Sequence, residues 1–162
     1  MPHLFSRSLP DKRMQIGLAC DHGGFELKEE LKSFLRSIGT EPIDMGTFSE
    51  DSVDYPDFGT LVAEKVSRGE LEKGILICGT GIGMSIVANK FRGVRAALAN
   101  DLYSSRFSRE HTDANILVIG GRVVGRELAK EIVRVWLDTP FAGGRHQRRV
   151  EKIEMLEKQK FK

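Results

Sequence analysis

Short apolar runs alternate along this chain with stretches whose apolar positions recur every three or four residues. Residues 16–20 form the first run and read as a strand, after which Leu27, Leu31, Phe34, Leu35 and Ile38 fall on one helical face. Gly39 stands where a helix of that phase ends. Residues 41–44 are a weaker strand, followed by a polar loop to Asp54, and Pro56 suits the first position of a second helix carrying Phe58, Leu61, Val62 and Val66. The strongest strand is 74–78, with 94–98 and 116–119 as the fourth and fifth and helices between them. Leu128, Ile132, Val135 and Trp136 mark a further helix. In the charged segment 145–162, Val150, Ile153 and Leu156 give an exposed helix one narrow apolar stripe, for packing on the domain or on a second subunit.

This alternation predicts a doubly wound, Rossmann-like α/β fold, a parallel sheet of about five strands with helices on both faces. Ligands of such sheets bind at the C-terminal ends of the strands. Asp21-His22, Cys78-Gly79-Thr80 and Asn100-Asp101 follow strands one, three and four, so convergence of these polar residues is expected from topology. The length of 162 residues suits one domain, placed at 14–162. Residues 1–13 show no period and are set apart as an N-terminal arm, a misassigned start or a cloning remnant.

Composition narrows the partners. A net charge of +2 with 30% charged residues gives no general attraction to nucleic acid or membranes. No run suggests a secretory signal or a membrane span. The two cysteines, Cys20 and Cys78, each end an apolar run, and no Cys-x-x-Cys pair or His/Cys cluster suggests a metal site. Reduced thiols in a cytoplasmic protein are the expectation.

The densest chemistry lies at residues 75–85, where an apolar strand delivers Cys78 onto Gly79-Thr80-Gly81-Ile82-Gly83-Met84-Ser85. Glycines at alternate positions let backbone amides approach an anion, and the helix that opens there favours negative charge, including a Cys78 thiolate. Dinucleotide and P-loop fingerprints do not fit, since Met84 stands where a third spaced glycine belongs and no Gly-Lys-Ser/Thr follows. A nicotinamide oxidoreductase is therefore the minor alternative, and Cys20 reads as a small buried hydrophobe.

Of four histidines, His22, His111 and His146 fall in polar contexts, where the ordinary reading is a solvated surface residue. His111 precedes a strand and is placed to transfer protons at a site. Asp21 suits the cap of the first helix. Arg145 and Arg149, four residues apart, share a helical face and suit a phosphate dianion, against the alternative of a solvated basic face.

Taken in order, Cys20-Asp21-His22-Gly23-Gly24, Asp54-Tyr55-Pro56, the 77–85 loop with Ala88-Asn89-Lys90, Val94-Arg95-Ala96, Arg109-Glu110-His111, Asp113-Ala114-Asn115, Gly121-Arg122-Val123-Val124-Gly125 and Gly143-Gly144-Arg145-His146-Gln147-x-Arg149 resemble ribose-5-phosphate isomerase type B. The resemblance runs from about Met14 into the last helix and extends to the broader sugar-phosphate isomerase family, including allose-6-phosphate and galactose-6-phosphate isomerases. It implies aldose–ketose isomerisation through an enediolate, without metal or cofactor. By that resemblance Cys78 is the base and Thr80 assists at the substrate oxygens. The backbone of Gly79, Gly81, Gly83 and Ser85 stabilises the enediolate, and Asp21 and His111 open the sugar ring. His22, Arg145 and Arg149 hold the phosphate, and Tyr55 lines the pocket. It also implies a homodimer, open to further pairing into a tetramer, in which His111 and the arginines come from the partner. Thr112 departs from the family, which often carries asparagine there, and this bears on five- against six-carbon preference. A phosphosugar-binding module without turnover is the rival of another class; it would not need the thiol.

Overall fold

The computed structural model describes residues 13–161. Arg13 apart, the segment set aside as an arm lies outside them. The strands are β1 (Gln15–Cys20), β2 (Glu41–Asp44), β3 (Lys73–Cys78), β4 (Ala96–Leu98) and β5 (Ile116–Gly120). The helices are α1 (Phe25–Ser37), α2 (Tyr55–Ser67), α3 (Ile82–Ala88), α4 (Leu102–Thr112), α5 (Arg126–Asp138) and α6 (Arg145–Lys160). All strand pairs are parallel, in the order β2-β1-β3-β5-β4.

The central strand β3 is buried on both faces, so it reads as a continuous apolar run. Its side chains still alternate. Ile75 and Ile77 join the cluster of Leu31, Leu35, Ile132 and Trp136 under α1 and α5, whereas Leu76 and Cys78 join Val62, Met84 and Ala88 under α2 and α3. Each fully buried aliphatic side chain here contributes about 1.5–3 kcal/mol. The predicted doubly wound sheet is therefore the fold observed, with every strand ending on the same edge.

Local departures have identifiable causes. The fourth strand is three residues long, not the predicted 94–98. Arg95 is withdrawn from regular pairing because its N–H donates to Asn115 Oδ1 at 2.8 Å, and Val94 turns back to donate to the Phe91 carbonyl. Pro56 occupies the second position of α2, which begins at Tyr55. Asp21 caps a separate 3-10 turn, His22–Gly24, not α1 itself: its Oδ1 accepts from the Gly24 amide at 3.2 Å. Helix α6 uses its stripe only in part, burying Val150 and leaving Ile153 and Leu156 about half exposed.

Candidate active site

Three glycine-rich turns meet at the C-terminal edge of the sheet. The Asp21 amide donates to the Ile77 carbonyl at 3.2 Å, the Gly121 amide to the Cys78 carbonyl at 2.7 Å, and the Arg122 amide to the Gly79 carbonyl at 3.0 Å. These bonds draw the segments after β1 and β5 against the end of β3. Asn100 ties in β4 by accepting from the Gly120 amide at 2.8 Å and reaching the Thr80 carbonyl at 3.5 Å. The convergence expected from topology is thus observed for Asp21, His22, Cys78, Gly79 and Thr80.

Cys78 lies at the base of this edge, 4% exposed, with the Gly81 amide pointing at its sulfur from 3.2 Å. An N–H contact of this kind is stronger to a charged acceptor than to a neutral one. Gly81 adopts φ +84°, a conformation that a Cβ would strain and in which a Cβ would also collide with Leu98. Thr80 is exposed beside it, its Oγ1 accepting from the Ile82 amide at 3.1 Å. The Ser85 hydroxyl is turned back onto its own helix, donating to the Ile82 carbonyl at 2.7 Å. Tyr55 stands over the turn from the start of α2. A Cβ on Gly83 would come within 2.6 Å of its Cζ, so the ring covers the loop only because residue 83 has no side chain.

His22 accepts the Val53 amide on Nδ1 at 3.1 Å, which joins the 45–54 loop to this edge. Arg122 is a member that the sequence offered only inside a longer motif. Its Nη1 lies 3.5 Å from where a Gly79 Cβ would be, and it is exposed without an ion-pair partner among the described residues. The signal available was an arginine directly after the Gly-Gly that ends a buried strand.

His111, Arg145 and Arg149 are elsewhere. Helix α4 starts at the C-terminal edge, where Asp101 caps it, and runs back for 11 residues, about 16 Å, to the start of β5. His111 lies in its last turn, beside Thr112 and Asp113, whose carbonyls bind the Arg95 guanidinium ahead of β4. It therefore faces the N-terminal edge of its own sheet, separated from Cys78 by the length of β5, on the order of 13 Å. There it meets the Phe107 ring at a 43° tilt and 4.6 Å, and stacks on His146 at 4.3 Å with 11° between the ring planes. His146 is not solvated but buried, and burial, with His111, Arg145 and Arg149 adding repulsion, holds its imidazole below the ordinary histidine range. Arg145 and Arg149 project from the start of α6, exposed and without ion pairs among the described residues.

Cys20 faces the other cluster, and its thiol is pushed up to about 12, chiefly by burial. No group of three or more His, Cys, Asp or Glu with metal-binding geometry occurs among the described residues. No helix among them is long and apolar enough to cross a membrane.

Comparison with known proteins places this geometry. Residues 16–153 match the ribose/galactose isomerase family. Ribose-5-phosphate isomerase B of Escherichia coli (strain K12) is 51% identical over 146 residues, 90% of this chain and 98% of the relative. The solved ribose-5-phosphate isomerase B of Clostridium thermocellum superposes with a TM-score of 0.88 at 56% identity, over 90% of this chain and 99% of that one. A ribose 5-phosphate isomerase of Thermotoga maritima gives 0.85 at 51% identity, over 88% and 98%. A match over residues 16–153, which takes in residues of every strand of the sheet, shows that this chain belongs to the ribose/galactose isomerase family.

Proposed function

We propose that this chain interconverts ribose 5-phosphate and ribulose 5-phosphate, with Cys78 as the base. The observation that carries the reading is the Cys78 sulfur at the end of the central strand, facing the Gly81 amide at 3.2 Å, in a chain 51–56% identical to proteins named for that reaction. The thiolate takes the proton from carbon 2 of the open-chain aldose. The released electron pair forms the double bond between carbons 1 and 2, and the charge moves to the carbonyl oxygen as an enediolate. Those amides of the Gly79 to Ser85 turn that are not already bonded within it, unlike those of Gly81, Ile82 and Ser85, stabilise that oxygen together with the Thr80 hydroxyl. The hydroxyl proton on oxygen 2 passes to oxygen 1, and return of the Cys78 proton to carbon 1 leaves the carbonyl at carbon 2, which is the ketose.

Ring opening falls to Asp21 and His111, and the phosphate to His22, Arg145 and Arg149, with Arg122 as a further cation at the rim. Tyr55 lines the pocket. Because Cys78 and His111 lie at opposite edges of one sheet, a complete site requires a second copy of the chain, so the protein works as a homodimer with shared sites. Both cysteines are free and buried, which suits a reducing cytoplasmic setting.

The test is interconversion of ribose 5-phosphate and ribulose 5-phosphate by the purified protein in the presence of a chelator. Turnover that the chelator leaves unchanged is the expected result. Absence of turnover, together with activity on allose 6-phosphate or galactose 6-phosphate, would move the substrate to six carbons. Thr112 would then be the first residue to exchange, since its hydroxyl is committed to the Ser108 carbonyl of its own helix.

A further inference from the structure

Lys28 is fully buried on α1, yet it takes no part in the proposed chemistry. Its Nζ donates to both oxygens of Asp44 at 2.7 and 2.8 Å, under the rings of Phe48 and Phe25 at 4.9 and 5.5 Å. Lys32 reaches the same carboxylate at 3.0 Å, and the Gly46 amide donates to its Oδ1 at 3.0 Å. A buried ion pair is weak evidence for stability, since an apolar pair of the same volume often serves as well. What the pair adds here is direction, because Asp44 is the residue at which the chain leaves the sheet.

Beyond Asp44 the backbone keeps following β1. Met45 donates to the Leu18 carbonyl at 2.8 Å, Cys20 to that of Gly46 at 2.7 Å and Thr47 to that of Cys20 at 2.9 Å. This strap runs alongside the last residues before the Asp21-His22 turn. On its return, Val53 donates its N–H to His22 Nδ1 at 3.1 Å. A ring nitrogen that accepts carries no proton, so the neutral imidazole keeps its proton on Nε2. Two residues later Tyr55 opens α2 and lies on Gly83.

We propose that Lys28 and Asp44 are positioning residues: their buried pair fixes the 45–54 strap so that Val53 locks His22 in the Nε2–H tautomer, aimed as a donor at the sugar phosphate. The aim of that donor rests on His22 binding phosphate, as proposed above; the tautomer rests on geometry alone.

The experiment combines steady-state kinetics on ribose 5-phosphate with nitrogen-15 NMR of the histidine rings in the full-length protein. Lys28→Met removes the buried cation and leaves Asp44 with Lys32 and the Gly46 amide. It is expected to raise KM about tenfold while kcat stays within about twofold, and to turn the single His22 tautomer into an averaged pair. Val53→Pro removes the donated N–H, while also fixing φ there and restricting Ser52, and is expected to reproduce both effects. An unshifted tautomer in Lys28→Met overturns the proposal, as does a raised KM without a tautomer change. A shift in Val53→Pro that Lys28→Met does not share also overturns it, because the lock would then be independent of the ion pair. If Lys28→Met fails to fold, Asp44→Asn, which keeps an oxygen for the Gly46 amide, puts the same question to the NMR signal. His22→Asn with an unchanged KM would remove His22 from the phosphate site, and the tautomer would still decide whether the strap is set by Lys28.

Discussion

Cys78 and Cys20 have the same chemistry in isolation and end neighbouring strands, yet their surroundings separate them. Cys20 points into the cluster under α1 and α5, where burial holds the thiol protonated, its pKa pushed up to about 12. Cys78 points the other way, onto a turn that offers its sulfur an N–H. Cys78→Ala is therefore expected to lower kcat by about 10²- to 10⁴-fold, the range for loss of a general base, while a non-reacting sugar phosphate still binds. Turnover near the parent level would remove the thiol from the mechanism. At this scale the sequence was informative where chemistry is local: a cysteine followed by alternate glycines can be seen in one window. The Tyr55 ring over Gly83 joins residues 28 positions apart, and no periodicity encodes such a contact. His146 misled for the same reason, since its polar neighbours in sequence are not what it packs against.

Elements were legible to the extent that their own residues determine them. Strands β1, β2, β3 and β5 and the phases of α1, α2 and α5 follow from apolar spacing. β4 was overestimated because the Asn115 side chain, from a distant segment, takes up the Arg95 amide. The start of α6 is a different case: its sequence set two arginines on one face, and the structure leaves both exposed and unpaired among the described residues. Free guanidinium groups at this spacing are suited to a dianion that arrives from outside the chain. Arg149→Ala is expected to raise KM for ribose 5-phosphate about tenfold with kcat little changed. An unchanged KM would leave Arg149 as surface charge.

For the whole molecule, the decisive fact is the direction of α4, which carries His111 away from the edge where Cys78 sits. Topology rules of parallel sheets located the Cys78 edge from sequence; they say nothing about whether a second copy brings His111 to it. Two inactive variants test the shared site. Cys78→Ala and His111→Asn are each expected to be inactive as purified, whereas subunits of the two, unfolded and refolded together in equal amounts, recover about a quarter of parent activity. Half of the dimers are then mixed, and each mixed dimer holds one intact site. No recovery would mean that both residues serve the same chain's site. The placement has a further outcome for the working enzyme. If each chain carries two half-sites facing opposite ways, specific activity becomes a matter of mass action. Dilution would extinguish turnover while every chain remains folded, and an excess of chains lacking both Cys78 and His111 would silence active ones by occupying their partners, whereas either single variant in excess would not.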